Sequence, residues 1–174
     1  MVRLSSWLLL PLFCMAISCN DSLESPDKEL AFYLVSDYQL LENEGYNRID
    51  ESTVKVDRDP LIGYSNIVTY DPGEYFFELT GEAVKIIEEL DQGLYGKPFA
   101  VMIDGDLIYT AYFWPSYFSS SCDWVVVDPI MADFYHGIKL RLGYPGLIDG
   151  EIIPDKRNDS RIIELLRRDN KLKN

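Results

Sequence analysis

Apolar and polar positions fall into regular patterns mainly in the second half of the chain, and those patterns predict strands and two helices. Residues 67–70 and 75–79 are two strand-like runs around Asp71-Pro72-Gly73-Glu74. Pro followed by Gly at the centre of a turn is the type II combination, because Pro presets φ and Gly accepts a positive one. Thr80 then stands where an N-cap belongs, with Glu82 in the first turn, where the helix dipole favours an acid. Ala83, Ile86, Ile87 and Leu90 form one apolar stripe of an amphipathic helix, with Gly93 as its left-handed stop. Residues 99–103 and 107–114 flank Asp104-Gly105-Asp106, and Asp-Gly is a strong hairpin signal. Trp124 and the three valines after it suit a strand contacted on both faces. Ile138, Leu140 and Leu142 alternate with Lys139, Arg141 and Gly143, which predicts a half-exposed strand. Ser160 is placed to cap a final helix carrying Ile162, Ile163, Leu165 and Leu166, and Arg167-Arg168 suit its C-terminus. Before this region, residues 30–35 give one strand signal. Residues 36–60 read mostly as loop, with 53–56 a short edge strand. The expectation is an α+β domain: an antiparallel sheet of about 5–7 strands with two helices packed on one face.

The N-terminus carries a different pattern. Arg3 precedes an unbroken apolar run of 11 residues from Trp7 to Ile17, then Ser18 and Cys19. That is the layout of a secretory signal, and the run falls short of the ~20 apolar residues of a membrane-spanning helix. Its ending, Ala16-Ile17-Ser18-Cys19, resembles the lipobox of bacterial lipoproteins. The resemblance implies that the Cys19 thiol is diacylglycerated, that residues 1–18 are removed, and that the new amino group is acylated. Two or three acyl chains hold a protein where one gives only marginal binding. The expected organisation is a signal peptide at 1–18, an acidic tether at 19–29 and a single globular domain at 30–174. The expected location is the cell membrane or outer membrane, facing the periplasm or the cell surface.

Loss of residues 1–18 removes Arg3 and no acid, so 156 residues remain with 15 basic against 29 acidic side chains, a balance of −14. So acidic a chain repels phosphate backbones and anionic headgroups, which argues against nucleic-acid binding and leaves membrane attachment to the lipid. With Cys19 lipidated, Cys122 is the one thiol left, and its place beside an apolar strand predicts burial.

The stretch Phe77-Glu78-Leu79-Thr80-Gly81-Glu82-Ala83, followed by Gly96-Lys97-Pro98-Phe99-Ala100-Val101-Met102-Ile103-Asp104-Gly105-Asp106-Leu107-Ile108, resembles the periplasmic head domain of the SecD protein-export subunit. The likeness covers residues 75–112. It implies an α+β sheet with helices on one face, and it does not by itself imply export activity, which in that family depends on transmembrane helices.

Signals for catalysis are sparse. His136 is the only His, so neither a multi-His metal site nor a His pair can be built. No nucleophile elbow, dinucleotide fingerprint or phosphate loop is present, and no calcium loop closes on a Glu. Asp104 and Asp106 bracket a turn, and Asp123 and Asp128 bracket a strand, where carboxylates usually face solvent. No catalytic residue, metal or cofactor is assigned. An acid-pair hydrolase stays open, because such a pair is made in space and has no spacing signature. One feature exceeds the needs of a core. Tyr109, Tyr112, Phe113, Trp114, Tyr117 and Phe118 put six aromatics into ten residues. On a strand, Tyr112 and Trp114 share the face opposite Phe113. Either both sheet faces are covered, or Tyr112, Trp114 and Tyr117 form an exposed platform for a partner, since aromatics dominate such surfaces. The sequence therefore points to a lipid-anchored, non-catalytic interaction module for an envelope protein or peptide, with a glycan-binding surface lipoprotein as the alternative.

Overall fold

A computed structural model describes residues 29–42, 45–147, 150 and 152–173. Cys19 and the signal and tether segments before Glu29 lie outside the described residues. Among the described residues the chain forms eight strands: β1 (Leu30–Leu40), β2 (Ile49–Val56), β3 (Ile67–Asp71), β4 (Phe76–Leu79), β5 (Lys97–Ile103), β6 (Asp106–Phe113), β7 (Cys122–Val127) and β8 (Gly137–Tyr144). Three helices accompany them: α1 (Gly81–Glu88), α2 (Ala132–Tyr135) and α3 (Ser160–Arg168). The α+β class is as expected. The strand number exceeds the expected range and there is a third helix. No helix among the described residues is long and apolar enough to cross a membrane.

The strands make one sheet in the order β2-β1-β5-β6-β7-β8-β4-β3, antiparallel except for the β6–β7 pair. The sheet is strongly curled. Phe32 of β1 and Phe77 of β4 stand second and seventh in that order, yet their ring centroids lie 5.2 Å apart. Phe77 also meets Tyr70 at 4.2 Å, and Phe99 stacks on Phe113 at 4.4 Å, so the concave side is an aromatic core. Both flanks of the curl are occupied. Phe32 exchanges backbone hydrogen bonds with Leu61 and Ile62, and Tyr70 of β3 pairs with residues 171–173 at the end of the chain.

The helices do not share one face. The α1 helix follows β4 and packs on α2 at the end of the sheet where β6 and β7 finish. The α3 helix lies beside Ile103 and Ile108 at the opposite end, next to the β5–β6 turn. A curled sheet leaves two open mouths, and apolar helix faces close them better than they could cover a concave side already filled with aromatic rings.

Several local readings hold. Thr80 caps α1 by accepting the Ala83 N–H at 3.4 Å, and Ala83, Val84 and Ile87 are buried. Asp104 and Gly105 adopt positive φ of 52° and 85°, the two-residue turn that an Asp-Gly hairpin needs. All six residues of β7 are buried.

Others need correction. Residues 36–60 are not mostly loop: β1 runs on to Leu40 and pairs with β2. These strands are acidic and their outward positions polar, so apolar alternation does not mark them. The turn after β3 is not type II, because Gly73 has no positive φ and Tyr75 takes the left-handed residue at 53°. Asp71 Oδ1 instead accepts the N–H groups of Gly73 and Glu74, an Asx-type turn. The α1 helix ends at Glu88, well before Gly93. The cap of α3 is Asp159, which accepts the Arg161 N–H at 3.0 Å, rather than Ser160.

Candidate functional site

The aromatic strand explains which of its side chains can act. On β6, Tyr109, Ala111 and Phe113 face the concave core, and Thr110, Tyr112 and Trp114 face the convex side. The convex side is covered too. The outer half of the β1–β2 hairpin folds over it, so that Tyr38 meets the Tyr112 ring at 6.5 Å. Glu51 of β2 reaches in beside β6, where β6 is not yet paired with β7. Its Oε1 accepts the Thr110 N–H at 2.7 Å and the Thr110 hydroxyl at 3.2 Å, and its Oε2 accepts Lys156 Nζ at 2.6 Å. Thr110 Oγ1 in turn accepts Trp124 Nε1 at 2.9 Å.

Tyr112 and Trp114 are each 2% exposed. Trp114 packs edge-on against Tyr112 and Phe118 and donates Nε1 to the Ser120 carbonyl at 3.3 Å. Burial pushes the Tyr112 phenol well above its ordinary range, with Tyr38 as hydrogen-bond partner adding to the effect. Neither ring can serve as an open platform. Tyr117 is different: it is 66% exposed.

Tyr117 belongs to a larger apolar end. Asp128 Oδ1 accepts the N–H groups of Ser116 and Ile130, each at 3.2 Å, and so ties the loop after β6 to the short 3-10 turn Pro129–Met131. Between this tie and α1 runs a groove of about 250 Å³ lined by Ile87, Glu88, Gln92, Tyr117, Pro129 and Ile130. Beside it, Phe134 and Tyr135 meet edge to face at 5.0 Å and remain 74% and 50% exposed. Leu94 and Tyr95, between α1 and β5, are also exposed. The sequence singles out Tyr117, which is exposed, and gives no comparable signal for Ile130, Phe134 and Tyr135. Phe134 and Tyr135 are a pair of aromatics on a one-turn helix in which Ala132 alone takes the buried side.

The polar candidates have other tasks. Asp123 is buried, against expectation. It accepts the N–H groups of Tyr46 at 3.1 Å and Asn47 at 2.8 Å and pairs with Arg48 at 3.5 Å, holding the loop before β2. Asp104 and Asp106 line a hollow of about 210 Å³ with Glu164, Arg161 and Arg168, whose guanidinium groups are paired to Asp159 and Asp169. His136 is exposed and ends α2 in the left-handed conformation. Cys122 is buried, as expected, and desolvation pushes its thiol up to about 12, which removes the reactive thiolate. Among the described residues no three His, Cys, Asp or Glu side chains are grouped to hold a metal. Comparison with protein-family models, curated proteins and solved structures finds no match.

Proposed function

We propose that this chain is a lipid-anchored protein of the bacterial cell envelope that works as a non-catalytic interaction module. Lipidated Cys19 holds it to the membrane, and the helical end of the domain docks an envelope protein or peptide. The observation that carries this reading is where the apolar surface lies. Leu94, Tyr95, Tyr117, Ile130, Phe134 and Tyr135 gather at the end where β6 finishes. The chain enters at the opposite end, where the Glu29 N–H bonds Asp104 and Leu30 pairs with Ile103. The 8 residues of β6 separate the two ends by about 26 Å. A domain tethered through Glu29 at one end leaves the apolar surface at the other end free to meet a neighbour. Isolated exposed apolar residues need no explanation, but Tyr117 and Ile130 share one groove and Phe134 packs on Tyr135, and grouped apolar surface is what interaction sites use.

The test is a photo-crosslinking residue at position 130 and, as a control, at position 106, in cells making the anchored protein. Position 130 should capture a defined envelope neighbour and position 106 should not. Cys19→Ser should leave an uncut precursor, release the protein from the detergent phase and abolish the capture. Capture that is equal at both positions, or wild-type partitioning of Cys19→Ser, would reject the reading.

One observation favours the second reading, glycan binding. A cleft of about 320 Å³ places Phe76 and Tyr135 among Asp71, Glu74 and Lys139, which are aromatic faces flanked by polar groups. Binding on a glycan array that Tyr135→Ala abolishes would support it.

A further inference from the structure

The groove between α1 and the Tyr117 loop has a size and a charge that define its occupant. Its volume of about 250 Å³ falls below the ~300–1,000 Å³ of ordinary small-molecule pockets, so it has room for one anchoring side chain and little more. The walls supply apolar contact through Ile87, Pro129, Ile130 and the Tyr117 ring. The rim is acidic. The segments that build this end, residues 82–95 and 115–136, hold Glu82, Glu88, Glu89, Asp91, Asp128 and Asp133 outside the core. Against these stand Lys85, which is paired to Glu89 at 3.7 Å, Lys97 at the start of β5, and Lys139 and Arg141, which share a hollow with Asp128 and Tyr135 on the side away from α1. No Lys or Arg occurs between Lys97 and Lys139. Within a chain of net charge −13, this end is an apolar slot with Glu88 on its wall and an excess of acidic over basic residues around it.

A further feature points to a donor. Gln92, on the wall of the groove, donates Nε2 to the Leu90 carbonyl at 3.0 Å, while its Oε1 is buried without a hydrogen-bond partner. A buried carbonyl oxygen without a donor is costly, and it meets a partner's N–H only when the Gln92 side chain turns out into the groove.

We infer that this groove receives a basic segment of a partner protein, which inserts one large apolar side chain between Tyr117 and Ile130 while flanking Lys or Arg residues meet the acidic rim. The inference rests on the docking function proposed above and adds the chemistry of the partner. A second copy of this chain would bring the same acidic rim and be repelled. An anionic bilayer would be repelled in the same way.

The probes are two fluorescent 12-residue peptides with a Leu-Trp-Leu centre, one flanked by four Lys and the other by four Glu. Binding is read by anisotropy on the anchored full-length protein in phosphatidylcholine nanodiscs, with empty nanodiscs subtracted. The Lys peptide should bind at least about tenfold more tightly than the Glu peptide and weaken between 50 and 300 mM salt, as the Debye length shrinks. Tyr117→Ser and Glu88→Lys should each raise its Kd by about tenfold. Asp106→Lys, the same change of charge at the other end, should leave it unchanged. Equal binding of the two peptides, or no effect of Tyr117→Ser and Glu88→Lys, would overturn the inference. So would an equal loss with Asp106→Lys, since net charge alone would then govern binding. Failure of the parent reading looks different. If the Lys peptide behaves as stated and position 130 captures nothing in cells, anchored docking fails and the preference of the groove stands. If position 130 captures a neighbour through an acidic or uncharged segment, docking stands and the basic occupant is excluded.

Discussion

Truncation of Trp114 gives the sharpest test of how the aromatic strand is used. Its side chain is 2% exposed, lies against Tyr112 and Phe118, and makes one hydrogen bond to Ser120. A buried aromatic of this class removes about 150–250 Å² from water, which at about 25 cal/mol per Å² corresponds to roughly 4–6 kcal/mol. Extended-chain areas overstate the burial, and measured truncations of core Phe and Trp cost about 3–5 kcal/mol. We expect about 4 kcal/mol for Trp114→Ala, a large share of the 5–15 kcal/mol typical of a domain. In urea, with a slope of about 2 kcal/mol per M, the midpoint should fall by about 2 M.

Tyr117→Ala, three residues along the chain, removes a ring that is 66% exposed and should stay within about 0.5 kcal/mol of the parent. Paired denaturation curves followed by fluorescence and far-UV circular dichroism provide the measurement. A Trp114→Ala midpoint within about 0.3 M of the parent would show that the convex face is not held as described. A loss for Tyr117→Ala as large as that for Trp114→Ala would show that the Tyr117 loop is core.

Three further outcomes test other parts of the fold. Glu51→Ala leaves the buried Thr110 N–H without its acceptor and should cost about 1–3 kcal/mol, with faster amide exchange at Thr110. Gly137→Ala places a Cβ atom against the Phe77 carbonyl and should lower the melting temperature sharply, whereas Gly81→Ala meets nothing within 4 Å at the start of α1 and should stabilise by about 0.4–1 kcal/mol. The carboxyl of Asp169 is held down to about 2 by Arg168 and by the Tyr64 hydroxyl, which donates to it at 2.6 Å. Its contribution should therefore be complete above about pH 4 and disappear as the pH falls toward 2, so the melting temperatures of the parent and Asp169→Asn should differ at pH 6 and converge near pH 2.

The elements that were legible in the sequence are those specified by neighbours in the chain. The β5–β6 hairpin follows from Asp104-Gly105, the start of α1 from Thr80, and the burial of β7 from its valines. The covering of β6 was not legible in the same way. Whether Tyr112 is exposed depends on a hairpin 59 residues away in sequence, measured from Glu51 to Thr110, and Trp114 is covered by Phe118 of the loop that follows it. That hairpin is built from acidic, weakly alternating segments such as Ile49–Val56, and its fold is imposed by pairing and by buried polar contacts rather than by local propensity. The same distance effect hid the task of Asp123, since the two amides that it accepts lie 77 and 76 residues upstream. Tyr117 was legible as a loop aromatic, but its neighbours at the site come from α1 and from the segment after β7, which only the fold brings together.

This covering hairpin also decides where a partner can bind. A strand with aromatics on both faces could present a broad platform if one face were open. Here Tyr38 and Glu51 close the convex face, and the aromatic core fills the concave one. The flanks of the sheet are equally committed, one to Leu61 and Ile62 and the other to residues 171–173. The free edge of β2 carries Asp50 and Lys55, charges that discourage a strand from adding there. The α3 helix and the β5–β6 turn occupy the end where the chain enters. Of the 11 large apolar residues exposed among the described residues, Leu94, Tyr95, Tyr117, Ile130, Phe134 and Tyr135 share the remaining end, while the others are scattered over the hairpin, β3 and the segment after β8. A fold that uses both faces, both flanks and one end for its own stability leaves the helical end as the place where apolar surface can be spared for recognition.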